Sequence, residues 1–204
     1  MPSYAIDGLV PVVDPTAYVH PSAVLIGDVI VGPRCYVGPC ASLRGDFGQI
    51  VMEAGSNLQD TCVVHGFPGA VTLIAENGHV GHGAVLHGCV VGRDALVGMN
   101  AVVMDEAEVG EGAFVAASSF VPAGMKIGAA MLAAGVPAKV KRPLTDVELA
   151  WKAEGTRTYQ TLSERSLRSM REVLPLTAVE ADRPSLPGDG VKTLIATRRS
   201  TDPK

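Results

Sequence analysis

Aliphatic residues recur in this chain every six positions, as Val13, Val19, Leu25, Val31, Val37 and Leu43, and again as Val91, Val97, Val103, Val109, Val115 and Val121. Helices repeat at about 3.6 residues and isolated strands at about 2, so neither explains strict sixes. The interval is that of a parallel β-helix, in which each coil is built from three short strands. A second column agrees. Four residues after each aliphatic anchor comes a small residue, among them Ala17, Ala23, Cys35, Ala41, Cys62, Ala84, Val90, Ala95, Ala101, Ala107 and Ala113. A large and a small side chain pointing inward together suit the corners of a triangular coil. The residue after the anchor is often glycine, as at Gly92 and Gly98, where a side chain would crowd the turn.

Composition fits a narrow, regular core: 47% hydrophobic residues but only 4% aromatic. The net charge of −4 gives no reason to expect a nucleic-acid partner. Charge is nonetheless divided, with 4 basic and 12 acidic residues over 1–138 against 13 and 9 over 139–204. The simplest reading is a basic tail lying on an acidic body; a sharper one takes tail arginines to a CoA phosphate. No apolar stretch approaches a membrane span and the N-terminus lacks a signal-peptide pattern, so a cytoplasmic chain with no membrane partner is expected. Its four cysteines, Cys35, Cys40, Cys62 and Cys89, form no CxxC pair and are expected as reduced thiols, Cys35 and Cys62 pointing inward.

The repeat occupies 1–138, followed by a helical segment over 139–175 and a flexible tail over 176–204. Thr145 with Glu148 three residues on forms a capping box, placing a helix start at Asp146. That helix should pause at Gly155 and resume to about Val173. An apolar stripe of Val147, Ala150, Trp151, Tyr159, Leu162, Leu167 and Met170 is expected to pack on the solenoid or on a neighbouring chain.

Interruptions in the repeat locate the chemistry. Extra residues between Leu43 and Met52, and between Val64 and Val80, should loop out and leave Leu43, Val64 and Leu86 stacked in successive coils. Arg44, His65 and His87 then project from one edge, about 4.8 Å apart. Two outward imidazoles one coil apart could share a metal ion. His82 lies at the preceding corner and could join them only from a neighbouring subunit. Three histidines and an open position suit catalytic zinc. His20 reads as a solvated residue, and His79 as structural or a support for a ligand.

The phrases Arg44-Gly45-Asp46, Asn57-Leu58-Gln59-Asp60, His65-Gly66, Gly81-His82 and His87-Gly88, set within hexapeptide repeats, resemble the γ-class carbonic anhydrase family. Ala150-Trp151-Lys152 and Glu154-Gly155-Thr156, leading to Tyr159-Gln160, resemble its PaaY and CaiE subgroup. The resemblance implies a mainly β fold, a left-handed parallel β-helix with a C-terminal α-helix. It also implies a homotrimer with zinc between subunits, held by His65 and His87 of one chain and His82 of the next. Imidazole also suits Fe2+ and Co2+. Arg44 and Asp46 would tie subunits together, Gln59 would orient the water, and Asn57 and Asp60 would line the same edge. For the PaaY type it implies a metal-dependent thioesterase acting on acyl-CoA in phenylacetate degradation, with zinc-bound hydroxide attacking the thioester.

Two glutamates of the γ-class pattern are missing, since Phe47 follows Asp46 and the loop after His65 is merely Gly66-Phe67-Pro68-Gly69-Ala70. Phe47 and Phe67 make the mouth apolar, and with Tyr159 they are the expected substrate-binding residues. Carbon dioxide hydration and a non-enzymatic, metal-clamped trimer are the alternatives to the hydrolase. A metal-free acyltransferase would leave the second and third histidines unexplained.

Overall fold

The computed structural model describes residues 1–186 and 192–201. Within the expected tail, Pro187, Gly188, Gly190 and Pro203 lie outside the described residues. The repeat folds into a parallel β-solenoid of three faces. The first face stacks the starts of Val24–Val31 and Ser42–Met52, then Val63–His65, Val85–His87, Val102–Val103 and Phe120–Val121. The second face runs from Val12–Val13 through the ends of those two long strands to Thr72–Ile74, Val90–Val91, Glu108–Val109 and Lys126–Ile127. The third face stacks Tyr18–Val19, Tyr36–Val37, Asn57–Leu58, His79–Val80, Leu96–Val97, Phe114–Val115 and Met131–Gly135. An antiparallel strand, Ala138–Pro143, folds back on Met131–Gly135 and closes that edge.

Both inward columns are buried, the anchors Leu25, Val37, Leu43, Val64, Leu86 and Val97 with the small residues Ala23, Cys35, Cys62, Ala84 and Ala95. One position differs from the repeat. Val90 is half-buried and faces out, while Cys89 is fully buried in the small slot. From Leu86 to Val91 the interval shortens by one, and Gly88 takes up the change at φ +54°. Burial pushes the Cys89 thiol up to about 12 and the Cys62 thiol up to about 11, while Cys40 is exposed. Glycine after the anchor answers a steric need, because a Cβ on Gly98 would lie 2.5 Å from the Ala117 amide nitrogen of the next coil.

The residues between Leu43 and Met52 do not loop out. Ser42–Met52 is one continuous strand that turns the edge while keeping its partners on both sides. Helix α1, Asp146–Ser169, starts in the expected capping box, with both reciprocal bonds between Thr145 and Glu148 formed. It runs unbroken through Gly155, where an added Cβ would touch His79. Its buried face also differs from the expected stripe, comprising Glu148, Lys152, Thr156, Ser163 and Ser166, while Leu167 and Met170 stand half exposed. The reason is what lies beneath it. α1 follows corners whose backbone polar groups need partners. Ser163 Oγ donates to the Cys35 carbonyl at 2.9 Å, Lys152 Nζ to the Asn77 carbonyl at 2.7 Å and Gln160 Nε2 to the Gly55 carbonyl at 3.2 Å.

Within the expected tail, a second helix, α2, covers Leu194–Thr201 and meets α1. The Trp151 indole donates to the Lys192 carbonyl at 2.9 Å, and Arg198 pairs with Glu148, which Arg142 also binds. No helix among the described residues is long and apolar enough to cross a membrane.

Candidate functional site

The edge between the first and second faces carries Arg44, His65 and His87 in strict register, Arg44 pairing with His65 and His65 with His87. The two rings meet edge to face with centroids 5.0 Å apart, and His65 Nδ1 lies 3.0 Å from His87 Nε2. Their other nitrogens are engaged. His65 Nε2 is 3.0 Å from Asp46 Oδ1, and His87 Nδ1 is 2.5 Å from Asp105 Oδ1. A carboxylate accepts, so in each neutral ring the proton sits on the nitrogen facing the aspartate. The facing nitrogens are then two bare lone pairs. Lone pairs at that distance repel unless something positive lies between them, either a proton or a metal ion.

The donor set fits an ion. Two neutral imidazoles, each turned by a carboxylate, form half of a zinc, iron or cobalt site. Tetrahedral zinc at about 2.0–2.1 Å from each nitrogen would hold the pair roughly 3.3 Å apart, a few tenths wider than here. His82 lies at the other edge of the first face, its side chain 46% exposed, with Nδ1 2.5 Å from Asp60 Oδ2 and Nε2 left for another partner. Thus each of the three histidines has its own aspartate, but only two meet within the chain. Among the described residues no three His, Cys, Asp or Glu side chains converge where an ion could be held.

Arg44 Nη1 lies 3.3 Å from Asp46 Oδ2, so within the chain the arginine flanks the carboxylate that orients His65. Phe47, 62% exposed, packs against His65 at a centroid distance of 5.1 Å, and Phe67 packs against His87 at 6.0 Å. The remaining expected residues lie on the third face. Tyr159, on α1, packs edge-on against His79 at 5.3 Å, and burial pushes its hydroxyl up to about 12. It is not brought beside Phe47 and Phe67. Asn57 and Gln59 are buried beneath it.

His79 closes a ring of contacts with those two amides. Gln59 Nε2 lies 2.8 Å from His79 Nε2 and 3.1 Å from Asn57 Oδ1, while Asn57 Nδ2 lies 3.2 Å from His79 Nδ1. All three contacts can be complementary only when both ring nitrogens act alike, as in an imidazolium with both amides turned over. Burial first, then the charge of Lys152, oppose that form and hold His79 down to about 3. A neutral His79 therefore leaves one contact mismatched. Gln59 borders a cavity on this face and has an amide group to spare for it.

Two of these residues were not anticipated from the sequence. Asp105 stands 18 positions after His87, one coil on, and that offset was the available signal. Lys152, on the buried face of α1, lies 3.5 Å from Asp94; burial lowers it to about 8, against the attraction of Asp94. No sequence period marks it.

Residues 88–123 match the bacterial transferase hexapeptide family, described by six repeats. The carnitine operon protein CaiE of Citrobacter koseri is 59% identical over 188 residues, covering 92% of this chain and 95% of that protein. Its counterpart in Salmonella newport matches to the same extent. Among solved structures, a hexapeptide transferase family protein from Anaplasma phagocytophilum is 35% identical with a TM-score of 0.77, covering 80% of this chain and 97% of that one. A Bacillus cereus protein assigned as an acetyltransferase is 32% identical with a TM-score of 0.80, covering 81% and 96%.

Proposed function

The chain belongs to the hexapeptide-repeat family, alongside the carnitine operon protein CaiE, and from that premise we propose that it is a metal-dependent hydrolase of acyl-CoA thioesters, of the PaaY type, working as a homotrimer. The observation that carries this reading is the facing pair His65 Nδ1 and His87 Nε2, each made a free donor by a carboxylate behind it. His82 of a neighbouring subunit would be the third ligand. A divalent ion held there, zinc first with Fe2+ or Co2+ as the alternatives, would supply an acidified water and a Lewis acid for the carbonyl.

The shape of the first face supports threefold association. Its outward column, Val24, Ser42, Val63, Val85, Val102 and Phe120, is apolar but for Ser42, and Val63 and Phe120 are exposed. One edge of that face carries His65 and His87 and the other His82. Three copies with this face turned to a common axis put unlike edges together. A pure rotation keeps height, and His82 lies on the chain between His65 and His87, so all three fall within about one strand spacing.

The chain's own groups then have defined work. Asp46, Asp105 and Asp60 hold the three rings and fix their tautomers. Arg44 keeps Asp46 in place. Gln59, anchored on His79, turns its unpaired amide group to the attacking water, and Phe47 and Phe67 make the mouth beside the two rings apolar and shelter the thioester group there from solvent. The carbon–sulfur bond breaks, a carbon–oxygen bond forms from water, and CoA leaves as the thiol.

Metal analysis of the purified protein tests the reading, together with thiol release from phenylacetyl-type CoA esters. Stoichiometric divalent metal and turnover lost on chelation are expected; turnover that persists in metal-free protein overturns it. Because the solved relatives are named as transferases, acyl transfer to an acceptor other than water is the second reading. It requires that thiol release stop when no acceptor is added.

A further inference from the structure

A cavity of about 490 Å³ lies open on the third face beside α1, and only its edge, at His82 and Gln59, belongs to the machinery above. Leu96, Phe114 and Leu132 are the outward residues of three consecutive strands and form its floor. Trp151 and Tyr159 of α1 form one wall, and Met99, 52% exposed, the opposite rim. From the His79 strand to the Leu132 strand is three spacings, about 14 Å. At the height of Phe114 and Leu132 the second face turns an ion pair to solvent, Lys126 with Glu108 at 2.8 Å. The third face keeps aromatic and aliphatic side chains in line there.

The charged groups around this groove are already engaged. Glu148 is held by Arg142 and Arg198, Lys152 by the Asn77 carbonyl and Asp94, and His82 by Asp60. An occupant therefore meets an apolar floor and rim with the charged groups of the lining already partnered, and meets a spare polar group at the His82 and Gln59 end. We propose that this groove is the acyl-chain site, taking an uncharged medium-chain or arylalkanoyl group with its carbonyl at the His82 and Gln59 end. This rests on the thioester reading for the identity of the headgroup, while the groove's selection of apolar chains can be measured without turnover. An acetyl group would leave most of the channel empty, so short acyl esters are poor substrates.

Trp151 is the only tryptophan in the chain and stands in the groove wall, so its emission reports events at the groove without need of turnover. The full-length protein is titrated with S-octyl-CoA, a thioether that cannot be hydrolysed, and with CoA as the control. A saturable blue shift with the thioether and none with CoA is the expected result. Leu132→Asp at the far end should weaken that binding by about tenfold or more. Met99→Asp, at a rim position 52% exposed, should do the same, with the circular dichroism spectrum and the elution volume on size exclusion matching those of the wild type. An unchanged emission, an equal response to CoA, or wild-type binding by both variants overturns the proposal. Binding that follows the expected pattern without thiol release from octanoyl-CoA refutes the hydrolase reading and leaves the groove standing. Thiol release with an acyl-length preference unmoved by either variant removes the groove and leaves the hydrolase.

Discussion

His65 and His79 are both histidines on solenoid strands, and their surroundings make them opposite chemical groups. His65, with His87, has a carboxylate behind the ring and a bare nitrogen in front. His79 has an amide on each side, a helix over it and a lysine nearby, and is kept neutral far below the ordinary imidazole range. The first arrangement creates a donor in search of a cation. The second creates a rigid spacer that fixes Gln59. Residue type does not separate them; the face each stands on, and the partners found there, do.

The largest break in that contrast should come from His87→Ala. Metal content should fall to background and thiol release by more than the ~10–100-fold that removing a ligand's orienting partner costs, while the circular dichroism spectrum stays that of the wild type. Retained stoichiometric metal would show that the facing pair is not the site. Asp105→Asn is milder, because the ring remains and only its fixed tautomer is lost. Metal affinity measured by competition with a chelating dye should drop roughly 10–100-fold. An unchanged affinity would mean that the short contact to His87 has no bearing on the metal.

The smallest effect belongs to His79 and appears in stability rather than activity. Its folded pKa of about 3 lies below the ordinary 6.5, so the unfolded chain binds a proton that the folded chain refuses. Stability is full above pH 6.5 and declines as pH falls toward 3, by about 2 kcal/mol between pH 7 and pH 5. Urea denaturation of wild type and His79→Gln at both pH values checks this. The variant should lose that share of the pH dependence; an identical slope in both proteins would remove His79 as its source.

Much of this was legible in the chain. The interval of six placed Leu43, Val64 and Leu86 in one stack, which put His65 directly beside His87 and set His82 a corner away. The capping box marked the start of α1 correctly. The misreadings share one cause, which is that a linear pattern does not say what an element lies against. The apolar residues of α1 suggest an amphipathic helix, but it covers backbone corners and turns Lys152 and Ser163 inward to their carbonyls. Gly155 suggests a break, whereas the helix continues through it with His79 in ordinary contact range. The residues after Leu43 exceed the period, which predicts a loop, yet partners on both sides keep them extended. Cys89 and Val90 exchanged places because the shortened step at Gly88 is invisible to a count of anchors from either side.

By itself, then, the sequence determined the solenoid and the stacking order. A side chain every sixth position has one way to reach a common core, and parallel coils fix which residues become neighbours. Only the tertiary structure decided which nitrogen of each imidazole is free. That choice rests on Asp46, Asp60 and Asp105, which stand 18 to 22 positions from the rings they orient. It depends on hydrogen-bond direction across coils, at distances of 2.5 to 3.0 Å, which no periodicity encodes.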